Sequence, residues 1–118
     1  MKYLCLVYRE EKKVDGMSRS EFAAFVAEHR AYREVLRKSG HGIASEGLQP
    51  VRTATTVRMR NGKVTTTDGP FAETKEQLGG FFLIDARDLD EAIRLASKIP
   101  AARLGSIEIR PVRESEPS

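Results

Sequence analysis

The chain has 118 residues, 40% of them hydrophobic and 31% charged, with a formal net charge of +3. That length and balance fit one soluble globular domain able to bury a core without disulfide or metal, and no apolar run approaches the roughly 20 residues of a membrane-spanning helix. Acidic and basic residues are interleaved, without the basic stripe and stacking elements of a nucleic-acid-binding surface, and one cysteine, Cys5, excludes an internal disulfide framework and a cysteine-rich zinc site.

Residues 2–8 alternate Tyr3, Cys5, Val7 with Leu4, Leu6, Tyr8, which predicts a strand apolar on both faces. Cys5 then reads as a small buried strand residue rather than a nucleophile. The start of the chain is too short for a secretory h-region and is followed by no small-residue cleavage site, so a cytoplasmic location is expected. Arg9 to Gly16 reads as a charged loop. Ser18 and Glu21 form a capping-box pattern, Phe22, Phe25, Val26, His29, Tyr32 and Leu36 recur at helical spacing, and Gly40 is a natural stop. A helix of about five turns follows from this spacing.

Residues 53–60 read as a β-branched strand, and Asn61-Gly62 signals a tight hairpin returning through residues 63–67. Residues 80–84 (Gly-Phe-Phe-Leu-Ile) predict a second strand apolar on both faces. Asp88 with Glu91 repeats the capping pattern, Leu89, Ala92, Ile93, Ala96 and Ile99 mark a second helix closed by Pro100, and residues 106–110 form a last strand with one apolar face. The expected domain spans residues 1–112, with 113–118 a flexible polar tail.

This order predicts an α+β fold, a ferredoxin-like βαββαβ sandwich with an extra hairpin strand. The doubly apolar strands 2–8 and 80–84 would be central, and strands 53–60 and 106–110 would lie at the edges. Both helices then cover one sheet face, and the second apolar face of the central strands requires a cover. A second copy packed sheet against sheet supplies it most simply, so a homodimer is expected.

The residues able to carry chemistry fall in two places. In the run Asp68-Gly69-Pro70-Phe71-Ala72-Glu73, Gly69 and Pro70 make a rigid turn. Asp68 either caps that turn or is held into a cleft as a base, Phe71 is either an apolar plug or a ring that stacks on a ligand, and Glu73 lies on a charged turn or lines the same cleft. Gly79 and Gly80 permit a close backbone approach at a strand start, or a ligand contact through the backbone. His29 and Arg33 sit on the core-facing line of the first helix. The pair is either a hydrogen-bonded core histidine with a snorkelling arginine, or a polar pocket in which His29 exchanges a proton and Arg33 holds an anion. His41 reads as a loop residue. The two histidines have no metal-ligand spacing and no phosphate-cradling glycine loop occurs, so neither metal nor cofactor is expected.

The run Asp68 to Gly80, together with Gly47-Leu48-Gln49-Pro50 and Ile99-Pro100-Ala101-Ala102, resembles the DGPF-domain proteins of the YCII-related family over about residues 1–112. The resemblance implies a ferredoxin-like fold dimerising into an α+β barrel, a biochemical role not assigned, a frequent association with extracytoplasmic-function sigma factors, and a His/Asp pair as an active site. The functional expectation is a small homodimer with a His29/Asp68 pocket for a small, acidic organic ligand, with Arg33, Gly69, Pro70, Phe71 and Glu73 around it. The alternative is a non-catalytic accessory module that binds a protein partner, such as a sigma-factor-related protein.

Overall fold

The structure is a computed structural model that describes residues 1–114. Its elements are β1 (Lys2–Arg9), α1 (Glu11–Asp15), α2 (Arg19–Lys38), β2 (Gly42–Gly47), β3 (Thr55–Arg60), β4 (Lys63–Asp68), β5 (Gln77–Asp85), α3 (Leu89–Ala96) and β6 (Gly105–Pro111), with 3-10 turns at Val51–Thr53 and Pro100–Arg103. Of the tail read over residues 113–118, residues 115–118 lie outside the described residues. Among the described residues, no helix is long and apolar enough to cross a membrane.

The capping box closes the start of α2 from both sides. The Ser18 hydroxyl accepts from the Glu21 N–H at 3.1 Å, and the Glu21 carboxylate accepts from the Ser18 N–H at 2.9 Å. Gly40, at φ +81°, ends the helix in the left-handed region, and the next N–H, of His41, returns to the Leu36 carbonyl at 3.0 Å. Asp88 caps α3 by accepting from the Glu91 N–H at 2.9 Å.

Strands β2, β5, β1 and β6 form one antiparallel sheet in that order. The two doubly apolar strands are central, as expected for a ferredoxin-like sheet. Tyr3, Cys5 and Val7 of β1 and Phe82 and Ile84 of β5 point to the helical face, where they bury against Phe25 and Leu36 of α2 and Ala92, Leu95 and Ala96 of α3. Desolvation pushes the Cys5 thiol up to about 11, so the thiolate is scarce near neutrality. Tyr32 ties α2 to α3 by donating its hydroxyl to the Leu95 carbonyl at 2.5 Å. Tyr32→Phe is expected to lower stability by about 1 kcal/mol, read as a shift in the urea midpoint at constant slope. An unchanged midpoint would show the bond adds nothing over water.

Four sequence expectations are corrected. The edge beside β5 is β2, not residues 53–60; β3 pairs only with β4, in a separate two-stranded ribbon. Residues 9–16 hold the last residue of β1 and the short helix α1 rather than a loop alone. The last sheet strand before α3 starts at Gln77, three residues ahead of the predicted start. Leu89 and Ile93 are exposed, whereas Glu91, at 6% exposure, is buried.

The ribbon turns at Asn61 (φ +51°) and Gly62 (φ +74°), both in the left-handed region that a two-residue hairpin requires. It stands off the sheet as an arm. The radius of gyration is 16.3 Å, against about 13 Å for a compact chain of this length. Val57, Met59 and Val64 on the arm and Phe71 beyond it are exposed, Phe71 to 81%. The arm, Pro70 and Phe71 border a concavity of about 850 Å³ that Tyr8 and Leu78 of the sheet complete.

Candidate functional site

A cavity of about 230 Å³ opens between α2 and the β2–β5 edge of the sheet. Phe22, Phe25 and Val26 line it from α2, Phe82 and Val7 from the sheet, and Leu48 from the segment after β2. Its polar groups are His29, Arg30 and Arg33 of α2, Arg9 at the end of β1, and Ser45 and Glu46 of β2. The exposure of Phe22 (44%) and Val26 (37%) thus belongs to the mouth of this cavity rather than to a defect in the core.

His29 is held at both ring nitrogens. Nδ1 lies 2.8 Å from the Phe25 carbonyl, and Nε2 accepts from the Ala101 N–H at 3.2 Å. A carbonyl can only accept and an N–H can only donate, so the ring is neutral with its proton on Nδ1. Phe25 packs edge-on against it, with centroids 4.5 Å apart. Burial depresses its pKa below the usual imidazole value, the Phe25 carbonyl opposes this, and the positive charge of Arg9 adds to the depression. His29 is thus a hydrogen-bonded histidine on the core line of α2, and it also lines the cavity.

Arg9 is the polar group that the sequence reading missed. Its guanidinium lies 5.6 Å from the centroid of the Phe25 ring and directly over Gly79, where a Cβ would stand 2.9 Å from Cζ. It is half-buried, and burial lowers its pKa, although Glu11 opposes that. Among the described residues Arg9, Arg30 and Arg33 form no ion pair. The signal was available: Tyr3, Cys5 and Val7 set the parity of the helical face, and Arg9 continues it.

Asp68 does not line this cavity. It is exposed at the end of β4, opposite Thr55, and no side-chain hydrogen bond of its carboxylate occurs among the described residues. The turn after it is held by main chain instead: the Gly69 N–H donates to the Ala54 carbonyl at 2.8 Å, and the Thr56 hydroxyl donates to the Gly69 carbonyl at 2.8 Å. Gly69 takes φ +98°. Pro70, Phe71 and Glu73 line the concavity beside the arm. The structure therefore brings His29 and Arg33 together, and it keeps Asp68, Gly69, Pro70, Phe71 and Glu73 apart from them within one chain. His41 lies in the loop between α2 and β2, as expected, and its Nδ1 bonds the Asp85 carbonyl at 2.8 Å.

Sheet, helices and cavity together define an α+β domain of ferredoxin-like type with a ligand-sized pocket on its helical face. The chain belongs to the YCII-related family, whose domain matches residues 1–116. It is 36% identical, over 119 residues, to an uncharacterized protein of Rhizobium meliloti (strain 1021), covering 99% of this chain and 96% of that protein. In structure it resembles the 5-chloro-2-hydroxyhydroquinone dehydrochlorinase of Burkholderia phenoliruptrix AC1100, solved in complex with 2,5-dihydroxybenzoquinone. The TM-score is 0.57 at 15% identity, covering 98% of this chain and 96% of that one.

Proposed function

We propose that this chain is the protomer of a homodimeric, enzyme-like protein that binds a small organic ligand in the cavity between α2 and the sheet. The observation that carries this reading is the cavity itself, which has apolar aromatic walls and convergent polar groups, His29 and three arginines without ion pairs among the described residues, at one place. A dehydrochlorinase of similar fold was solved with a small quinone, so this fold accommodates such ligands. His29 is the group that holds a proton at a defined atom in the cavity. Asp68 joins it in this reading only from the arm of a second protomer.

The open sheet face supports the homodimer. Leu4 and Leu6 of β1 and Phe81 and Leu83 of β5 are only half-buried there, and the concavity beside the arm continues the same surface through Tyr8 and Leu78. Apolar surface of this continuity is covered in a stable protein. Light scattering at micromolar concentration is expected to give twice the 13.2 kDa chain mass; the single-chain mass would overturn the dimer. Small organic acids are expected to shift the backbone amides of Ser45, Gly79 and Gly80 in NMR titrations. A spectrum unmoved by millimolar ligands of every charge would overturn the pocket and favour a module that docks a protein partner on its apolar arm.

A further inference from the structure

Two features of the cavity wall lack a direct partner among the described residues. The Arg9 guanidinium is half-buried, within cation–π reach of Phe25 at 5.6 Å and seated over Gly79, without an ion pair among the described residues. Guanidinium stays charged at any physiological pH, and a partly desolvated one without a partner is incompletely compensated. The charge of Glu11 acts on Arg9 without closing an ion pair with it; one oxygen of its carboxylate accepts the Val51 N–H at 2.9 Å. The second feature is Ser45, whose Oγ is buried with no hydrogen-bond partner among the described residues. Buried hydroxyls are nearly always paired, so an orphan on a cavity wall marks a missing partner.

The remaining wall is aromatic, with Phe22, Phe25 and Phe82, and the space is about 230 Å³. An apolar cavity of about 150 Å³ holds one benzene ring. The space thus admits a single ring with one polar substituent. Arg30 and Arg33 on the mouth add positive charge, against Glu46 as the one carboxylate among the described lining residues.

We propose that the cavity takes a one-ring aromatic carboxylate, its ring among Phe22, Phe25 and Phe82, and its carboxylate on the Arg9 guanidinium and the Ser45 hydroxyl. This rests on the pocket reading above and adds the charge and shape of the ligand. Arg9 is the specificity residue. Its planar fork matches a carboxylate in two hydrogen bonds, and the Phe25 ring and Gly79 hold the guanidinium at the cavity wall before the ligand arrives.

The test is calorimetric titration of the intact protein with benzoate and with its neutral isostere, benzamide. Benzoate is expected to bind at least tenfold more tightly than benzamide. Arg9→Gln is expected to weaken benzoate about tenfold, the worth of one charge-assisted hydrogen bond pair, and to leave benzamide unchanged. Ser45→Ala is expected to weaken benzoate about threefold while leaving Tm unchanged or raised, since it deletes an unpaired buried group. Should Arg9→Gln fail to fold, Gly79→Ala serves in its place. Its Cβ at 2.9 Å from Cζ displaces the guanidinium, a flexible side-chain end, without removing its charge, and it is expected to weaken benzoate alone. Equal binding of benzoate and benzamide by the wild type, or benzoate binding untouched by both Arg9→Gln and Gly79→Ala, would overturn this proposal and leave the pocket standing. Binding of neither ring at millimolar concentration would likewise overturn this proposal, while the pocket reading stands or falls on the NMR titrations with ligands of every charge.

Discussion

Gly105→Ala is expected to be the most damaging single-methyl change in the chain. Gly105 opens β6 opposite Arg9, and a Cβ there would stand 2.0 Å from the Tyr8 carbonyl oxygen and 2.9 Å from the Arg9 Cα. Both are main-chain atoms of a central strand, so no rotamer change relieves the overlap; β6 must draw away from β1 at that end of its ladder. The expected cost is about 3 kcal/mol, the upper range of overpacking, or about 1.5 M in the urea midpoint. Gly47→Ala is the control. A Cβ at Gly47 meets nothing within 4 Å, and the substitution is expected to be neutral or slightly stabilising through loss of unfolded-state freedom. Equal midpoints for the two variants would show that β6 is not held to β1 in this register.

The second large effect is a pH dependence centred on His29. Its folded pKa lies below its ordinary value of 6.5, chiefly through burial. Between the folded pKa and 6.5 the unfolded chain therefore binds more protons than the folded one, and stability rises with pH across that interval. The contribution is complete above pH 6.5 and is lost as pH falls through the folded pKa. Protonation would put a second N–H where Nε2 now accepts from Ala101, turning a hydrogen bond into a clash of donors. His29→Phe is expected to flatten the slope below pH 6.5 and to cost about 2 kcal/mol at pH 7, because it removes two hydrogen bonds and orphans the Ala101 N–H. Urea titrations at pH 7.5 and 5.5 measure both. A slope that survives the substitution would place the titrating group elsewhere. Glu91 acts in a separate, lower window. The Arg87 N–H at 2.9 Å and the guanidinium of Arg87, with His41 and Arg94 adding, hold its carboxyl below the ordinary 4.5 despite burial, so its contribution is present above that value and is lost on further acidification.

The parts of this fold that local chemistry determines were readable from sequence. Ser18 with Glu21 and Gly40 bracket α2 because each meets a main-chain need within four residues of itself. Asn61-Gly62 marks the ribbon turn because few other residues accept positive φ at both positions. The double apolarity of strands 2–8 and 80–84 placed them in the middle of the sheet, since only central strands have two faces to cover. What escaped depends on tertiary neighbours. Residues 42–47 (Gly-Ile-Ala-Ser-Glu-Gly) carry no β-branched alternation, and they form a strand because β5 offers a free ladder and Gly80 lets the Glu46 carbonyl close in: a Cβ at Gly80 would stand 2.7 Å from that oxygen. The threonine-rich stretch Thr55–Arg60 has every mark of an edge strand except a vacancy, which β2 already fills. Glu91 read as part of a cap, and it is the buried end of an arginine network.

The candidate site divides along the same line. His29 and Arg33 share a helical face, which spacing alone reveals. Their distance from Asp68 depends on where the ribbon leaves the sheet, and no pattern in residues 53–68 encodes that. Arg9 was concealed by the charges that follow it, since a run of Glu and Lys reads as loop even where its first member continues a strand.

The ribbon of β3 and β4 has a thermodynamic consequence of its own. A two-stranded hairpin without a packed face is marginal in water, so residues 55–68 draw little of their order from the core that stabilises the rest of the chain. Their free energy of folding is set by whatever surface lies against Val57, Met59, Val64 and Phe71. Where that surface belongs to another molecule, the order of the arm is not a constant of the chain but a function of concentration. Dilution then loosens the arm while the sheet and its helices stay intact.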